Sequence, residues 1–258
     1  MIGDGILCNA CFSRRALLQG AALLPFAAPA LAAKPDTKGL IEPHMRITGA
    51  GADGPRVALT FDACDGHTDR RVLDMLLAEN IPATIFASGK WLRGNAAVFK
   101  ELLAHPELFE IGDHGAHHFA PIDRPETIWG VRAAGSGQGV TTEVSEGARL
   151  LEAAGAPRPG WFRGATALYT DKAMQIITDL GYRIAGFSIN ADQGASLSAE
   201  GTARRYHGAS DGDVLISHIN QPNRAAGAGV VRGVLALKAR GVRFVKLSDP
   251  TLTIAPIG

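Results

Sequence analysis

From residue 57 onward, short apolar runs alternate with longer stretches in which apolar positions recur every three or four residues. A brief, unbroken apolar run marks a strand covered on both faces. A 3.6-residue period marks a helix resting one side on a core. Val57-Ala58-Leu59-Thr60-Phe61 reads as the first strand, and Val72, Leu73, Leu76 and Leu77 fall on one side of a helix over 69–78. The pattern then predicts a strand at 83–87, a helix at 95–104, a short strand at 109–112 and a helix at 142–154 stopped by Gly155. Next come the apolar pair Trp161-Phe162, a helix at 171–180 stopped by Gly181, a strand at 184–189 and a helix at 199–206. A strand at 214–219, a helix at 229–239 stopped by Gly241 and a strand at 243–247 close the series. Glycine just past the last periodic residue is the usual helix stop. About seven strands alternating with helices predict a largely parallel, buried sheet. In a chain of 258 residues that rhythm fits one α/β domain, a distorted (β/α)7-type barrel over residues 55–258.

The flanks read differently. Residues 33–54 are rich in Pro, Gly and polar side chains, as in a linker or short N-terminal arm, and the Pro- and Gly-rich stretch 120–139 reads as a long surface loop. Within residues 1–32, Ser13-Arg14-Arg15-Ala16-Leu17-Leu18-Gln19 has the form of a twin-arginine export signal, followed by an apolar run and the small residues of Ala30-Leu31-Ala32. The run falls short of the ~20 residues that span a membrane, and Pro25 and Pro29 oppose a continuous helix. An uncleaved amphipathic anchor would need a polar face, which the segment lacks. The expectation is export to the periplasm or beyond by the twin-arginine route, with no stable membrane span.

Cleavage after Ala32 would remove Cys8 and Cys11 and leave Cys64 alone, so no internal disulfide would hold the domain. A 46% hydrophobic and 20% charged composition excludes global disorder. The net charge of +1, with Lys and Arg scattered, leaves no nucleic-acid footprint.

Reactive groups of an α/β barrel sit at the carboxyl ends of its strands. Asp62 and Asp65 follow the first predicted strand, His114 and His118 the third, Arg163 the fourth and Asp192 the fifth, while His218 ends the sixth. Two imidazoles four apart can share a cation, although such a pair also occurs in plain solvated loops. Asp65-Gly66 is equally a turn dipeptide. Asp62, directly after an apolar strand, is less easily a turn residue. His218 reads either as a satisfied core histidine or as a general acid.

Thr60-Phe61-Asp62 with Asp65-Gly66, His114-x-x-x-His118, Arg163 after Trp161-Phe162, Asp192, and Ile216-x-His218 occur in the order of the five motifs of carbohydrate esterase family 4. Over about residues 56–245 the chain thus resembles the NodB-like polysaccharide deacetylases. The resemblance implies that Asp62 is the base acting on a cation-activated water, with Arg163 orienting it. It implies that His114 and His118 are ligands of a divalent cation, zinc or alternatively cobalt, that His218 is the acid tuned by Asp192, and that Ile216 shapes the acetyl pocket. The family's third ligand directly follows the base, where this chain has Ala63. Asp65 is the favoured substitute because Asp-Gly restores the family's dipeptide, and Cys64 competes because a thiolate binds zinc well. Gly164-Ala165-Thr166 and Gln193 stand where the family carries a proline and aromatics, and Gly115 where it carries Ser or Thr. The implied activity is removal of N-acetyl groups from a cell-envelope or other N-acetylated polysaccharide or oligosaccharide. A different amide substrate, or a catalytically silent glycan-binding domain, remains open.

Overall fold

The structure is a computed structural model in which residues 37–49 and 54–257 are described. The export-signal reading over residues 1–32 therefore lies outside the described residues. In chain order, β1 (Met45–Thr48) precedes β2 (Arg56–Ala63), α1 (Arg70–Ala78), β3 (Ala83–Ala87), α2 (Gly89–Gly94), α3 (Ala96–Leu103) and β4 (Phe109–Asp113). A hairpin of β5 (Thr127–Ile128) and β6 (Val131–Arg132) leads into α4 (Gly137–Ala153). There follow β7 (Trp161–Phe162), a 3-10 turn at Ala165–Ala167, α5 (Asp171–Asp179), β8 (Arg183–Ile184) and β9 (Ile189–Asn190). The chain ends with α6 (Ala199–His207), β10 (Val214–His218), α7 (Ala226–Ala239), β11 (Arg243–Val245) and β12 (Thr253–Pro256).

Eight strands form one parallel sheet in the order β8-β7-β4-β3-β2-β10-β9, with β11 beside the first residues of β2. The sheet curls into a half-barrel, the (β/α)7-type architecture expected from the rhythm of the sequence. Strand β2 is central and every one of its residues is buried. Side chains alternate across a strand. Val57, Leu59 and Phe61 pack outward against Leu73, Leu76, Val230 and Val234 of the surrounding helices. Ala58 packs on the inner side, in a second cluster with Phe86, Val214 and Ile216. The same two-residue period puts Thr60 and Asp62 on that inner side, and parallel pairing sets His218 of β10 directly beside Asp62.

Side-chain caps begin the helices where an oxygen is available to the free first-turn N–H groups. Asp69 caps α1, Ser88 α2, Ser136 α4, Thr170 α5 and Ser198 α6.

Several elements depart from the sequence pattern. The strand expected at 184–189 is two short strands, because the Ala185 and Gly186 carbonyls that would extend a ladder instead accept hydrogen bonds from the Arg163 guanidinium (3.2 and 2.8 Å). Helix α4 starts at Gly137, five residues earlier than the apolar period indicated. Its first turn holds Gly137 and Gly139, poor helix formers held by the Ser136 cap. The loop at 120–139 contains the β5–β6 hairpin, and the arm at 33–54 contains β1, which pairs antiparallel with β12. Among the described residues no helix is long and apolar enough to cross a membrane.

Candidate active site

Asp62 is buried on the inner face of β2, and its carboxylate Oδ1 accepts a hydrogen bond from Arg163 at 3.0 Å. Arg163, fully buried at the end of β7, also donates to the Thr60 hydroxyl at 2.9 Å and lies over the Phe86 ring. With its other N–H groups on the Ala185 and Gly186 carbonyls, its planar fork is locked in one orientation. Burial pushes the Asp62 pKa up. The Arg163 guanidinium, with His114 and His218, outweighs that penalty and holds the carboxyl below the usual carboxylate range. Asp62 is thus an ionised acceptor with a fixed direction.

The segment after β4 carries both candidate imidazole ligands. His114 is buried, and its Nδ1–H donates to the Arg163 carbonyl at 2.5 Å, which leaves Nε2 without a proton in the neutral ring and facing the cleft. His118 lies close by, its ring centroid 5.0 Å from that of His114, on a backbone with φ of +62°. Histidine is among the few side chains that enter the left-handed region readily, and the turn there brings its ring beside His114. What holds this geometry is Glu143 of α4. Its buried carboxylate accepts the His117 and Phe119 backbone N–H groups at 2.9 and 3.0 Å and pairs with the His117 ring at 3.0 Å. A Cβ at Gly115, whose φ is +80°, would lie 2.3 Å from Glu143 Oε1. Only glycine fits there, which accounts for the absence of the family's Ser or Thr. Glu143 escaped the sequence reading, yet it left a signal: a charged residue on the apolar stripe of α4 beside Val140, Val144 and Gly147.

The structure does not bring Asp65 into this cluster. Its carboxylate is half exposed and paired with Lys90 of α2 at 2.7 Å, and it also accepts the Gly66 N–H at 2.7 Å. The turn after β2 is tied down from outside: Ser88 donates to the Cys64 carbonyl at 2.6 Å, and Asn95 donates to the Gly66 carbonyl at 2.8 Å. Those ties aim the Cys64 side chain inward. Its Sγ is 3.5 Å from His114 Nε2, and one ligand atom each from Cys64, His114 and His118 lie within 4.8 Å of one another. Burial raises the Cys64 thiol, but His218, His114 and His118 together bring it well below its usual value, which favours the thiolate form. His118 Nε2 is buried without a hydrogen-bond partner. A converging thiol with a depressed pKa, an imidazole nitrogen whose lone pair is available once the ring gives up its proton, and an orphaned imidazole nitrogen fit a soft or borderline divalent cation.

Across the cleft, His218 ends β10. Asp192 Oδ1 lies 3.0 Å from His218 Nδ1, and Asp192 Oδ2 accepts the His218 backbone N–H at 2.7 Å. Burial lowers the His218 pKa, but Asp192 and Cys64 drive it well above the usual imidazole value, so the ring carries its proton near neutrality. Asp62, Cys64, His114, His118, Ile216 and His218 line one cleft of about 620 Å³. Arg163 and Asp192 stand buried behind them. An ionised carboxylate, a protonated imidazole and a cation-binding cluster thus face one space, an arrangement suited to hydrolysis assisted from both sides.

Solved structures with the same fold carry related chemistry in their names. A family 4 carbohydrate esterase from Streptomyces lividans, in complex with acetate, aligns with a TM-score of 0.64 and 17% identity over 80% of this chain and 100% of its own. The peptidoglycan deacetylase PdaC of Bacillus subtilis aligns with a TM-score of 0.63 and 19% identity, over 78% of this chain and 91% of its own. A carbohydrate esterase family 4 pseudoenzyme from Bacillus anthracis aligns at 0.62 and 18% identity, over 77% of this chain and 66% of its own. No curated protein matches the sequence. The family model described as polysaccharide deacetylase matches residues 49–185, more than half of the chain and the part that carries Asp62, Cys64, His114, His118 and Arg163. The chain belongs to the polysaccharide deacetylase family.

Proposed function

We propose that this protein is a cation-dependent hydrolase that removes N-acetyl groups from an N-acetylated glycan of the cell envelope, working outside the cytoplasmic membrane. The observation that carries the reading is the single cleft on which Asp62, His218 and the Cys64–His114–His118 cluster converge. The twin-arginine form of residues 13–19 supports an exported site of action, and the shared fold of a peptidoglycan deacetylase supports an envelope substrate.

Cys64, His114 and His118 would hold the cation, with zinc suited to two imidazoles and a thiolate, and cobalt as the alternative. When bound, the cation supplies Lewis acidity that lowers the pKa of water and polarises the amide carbonyl. Asp62 accepts the proton that water gives up, and Arg163 keeps that carboxylate ionised and aimed. His218 gives its proton to the departing amine, while Asp192 on Nδ1 leaves the opposite nitrogen to face the cleft. Ile216, apolar and buried beside them, offers a surface for the acetyl methyl group.

Metal content and acetate release from N-acetylglucosamine oligomers test the proposal, with parent and His114→Ala/His118→Ala proteins side by side. About one cation per parent chain, lost together with activity in the double variant, is the expected result. With cobalt, a thiolate charge-transfer band in the near ultraviolet should vanish in Cys64→Ser and persist in Asp65→Asn. A parent that takes up no zinc or cobalt would overturn the reading in favour of a silent glycan-binding domain. Uptake without acetate release would point to another amide substrate.

A further inference from the structure

We propose that Trp129, at the tip of the β5–β6 hairpin, is a stacking platform for a pyranose ring of the glycan, adjacent to the residue that is deacetylated. The inference rests on the glycan-deacetylase reading of the cleft and identifies how a polymer would be gripped there.

The hairpin has a two-residue loop, Trp129-Gly130, between the paired residues Ile128 and Val131. Both loop residues have positive φ, +50° for Trp129 and +82° for Gly130. That is the pattern of a type I′ turn, whose first position favours Asn, Asp or Gly. A bulky aromatic side chain is strained there, so local folding does not select tryptophan.

Packing does not select it either. The hairpin builds its own small core from Ile128 and Ala133 against Ala120, Ile122 and Leu168, while Trp129 is 59% exposed, the most exposed of the large hydrophobic residues described. Backbone bonds from Ala120 N–H to the Arg132 carbonyl and from Ala133 N–H to the Glu126 carbonyl, both 2.9 Å, anchor the base of the hairpin. Its tip is therefore a rigid mount rather than a loose end.

The strained, exposed indole lies on the wall of the same cleft as Asp62, Cys64 and the three histidines. Gln193, Asn190 and Ser196 add hydroxyl-binding groups to that wall. An aromatic face with polar groups around it matches a sugar ring, which is apolar across its C–H faces and polar around its edge. A single acetylated sugar in the catalytic floor would leave the indole unused, so the preferred ligand is an oligomer.

The test uses Trp129→Asn, which suits the turn, and Trp129→Phe, which keeps an aromatic face. Binding of N-acetylglucosamine oligomers is followed by calorimetry and tryptophan fluorescence, with a chelator present to stop turnover. Oligomer binding that quenches parent fluorescence is expected, with affinity about tenfold weaker in Trp129→Asn and largely restored in Trp129→Phe. The melting temperature of Trp129→Asn should match or exceed that of the parent, because the turn strain is relieved. In kinetics the loss should fall on KM. Equal affinity of parent and Trp129→Asn, or no oligomer binding by the parent, would overturn the inference. So would loss of both stability and binding that Trp129→Phe does not restore, since the tryptophan would then be structural. A parent that binds oligomers through Trp129 but releases no acetate would support the platform while removing the deacetylase reading.

Discussion

Without its guanidinium partner, the Asp62 carboxylate would be a buried charge with no compensating cation on β7. Removing one member of such a pair costs about 3–5 kcal/mol. Arg163→Met should therefore lower unfolding free energy by about that amount, and adding Asp62→Asn should recover part of it, because the stranded charge goes too. Denaturant titration of the three variants checks both statements. If Arg163→Met is neutral, the pair does not hold the inner face together. His114 offers a second residue-scale expectation. Burial opposes its protonation, but Asp62 and Cys64 raise its pKa to about 9 from an ordinary 6.5. An incoming cation must displace that proton, so cation affinity should rise with pH until about 9 and then level off. Proton release, read by calorimetry in buffers of different ionisation enthalpy, measures it directly. In the cation-free protein the same raised pKa contributes stability that is fully present below 6.5 and is lost as pH rises through about 9. Loading with cation should flatten that dependence.

At the scale of elements, the cation cluster depends on how α4 grips the segment after β4. Glu143 bonds the backbone on both sides of His118, and its carboxylate occupies the space a side chain at position 115 would need. Glu143→Ala should leave the sheet intact and reduce cation affinity about tenfold or more, as loss of supporting partners does in other metal sites. Circular dichroism and metal titration separate those effects; a variant that binds zinc as tightly as the parent would remove Glu143 from the design. The spacing of His114 and His118 was legible in the sequence because it is local. The role of Glu143 was not, since nothing in a helical period says which loop a buried carboxylate meets. The same holds for the strand expected at 184–189, interrupted by an arginine far back in the chain.

Over the whole molecule, β1 and β12 join residues near both ends of the described chain. Met45 and Ile47 are buried in the inner cluster with Ala58, Val214 and Ile216, and Leu252 and Ile254 pack against it. The Ile47 N–H donates to the Gly212 carbonyl at 2.8 Å, which ties the pair to the segment before β10. Deleting residues 250–258 would strip β12 and remove the packing of Leu252 and Ile254 on the inner cluster, at about 1.5–3 kcal/mol for each side chain fully buried and less for these partly buried ones. A fall of several degrees in melting temperature, with cation stoichiometry unchanged in the folded fraction, is the expected outcome.

The amino-acid order alone was enough for the α/β rhythm, the burial of the first strand of the domain and the placing of Asp62, His114, Arg163 and His218 at strand ends. Burial along a strand or helix is written as a local period, and the end of an apolar run marks where side chains reach the open end of a barrel. Local periods carry no information about where a loop side chain points. Cys64 faces the histidines and Asp65 faces Lys90 because Ser88 and Asn95, from the next βα unit, tie down the turn between them. Trp129 meets the cleft because a small core under its hairpin seats it there. These directions come from contacts between residues distant in the chain, which exist only once the sheet has curled and the helices have closed around it.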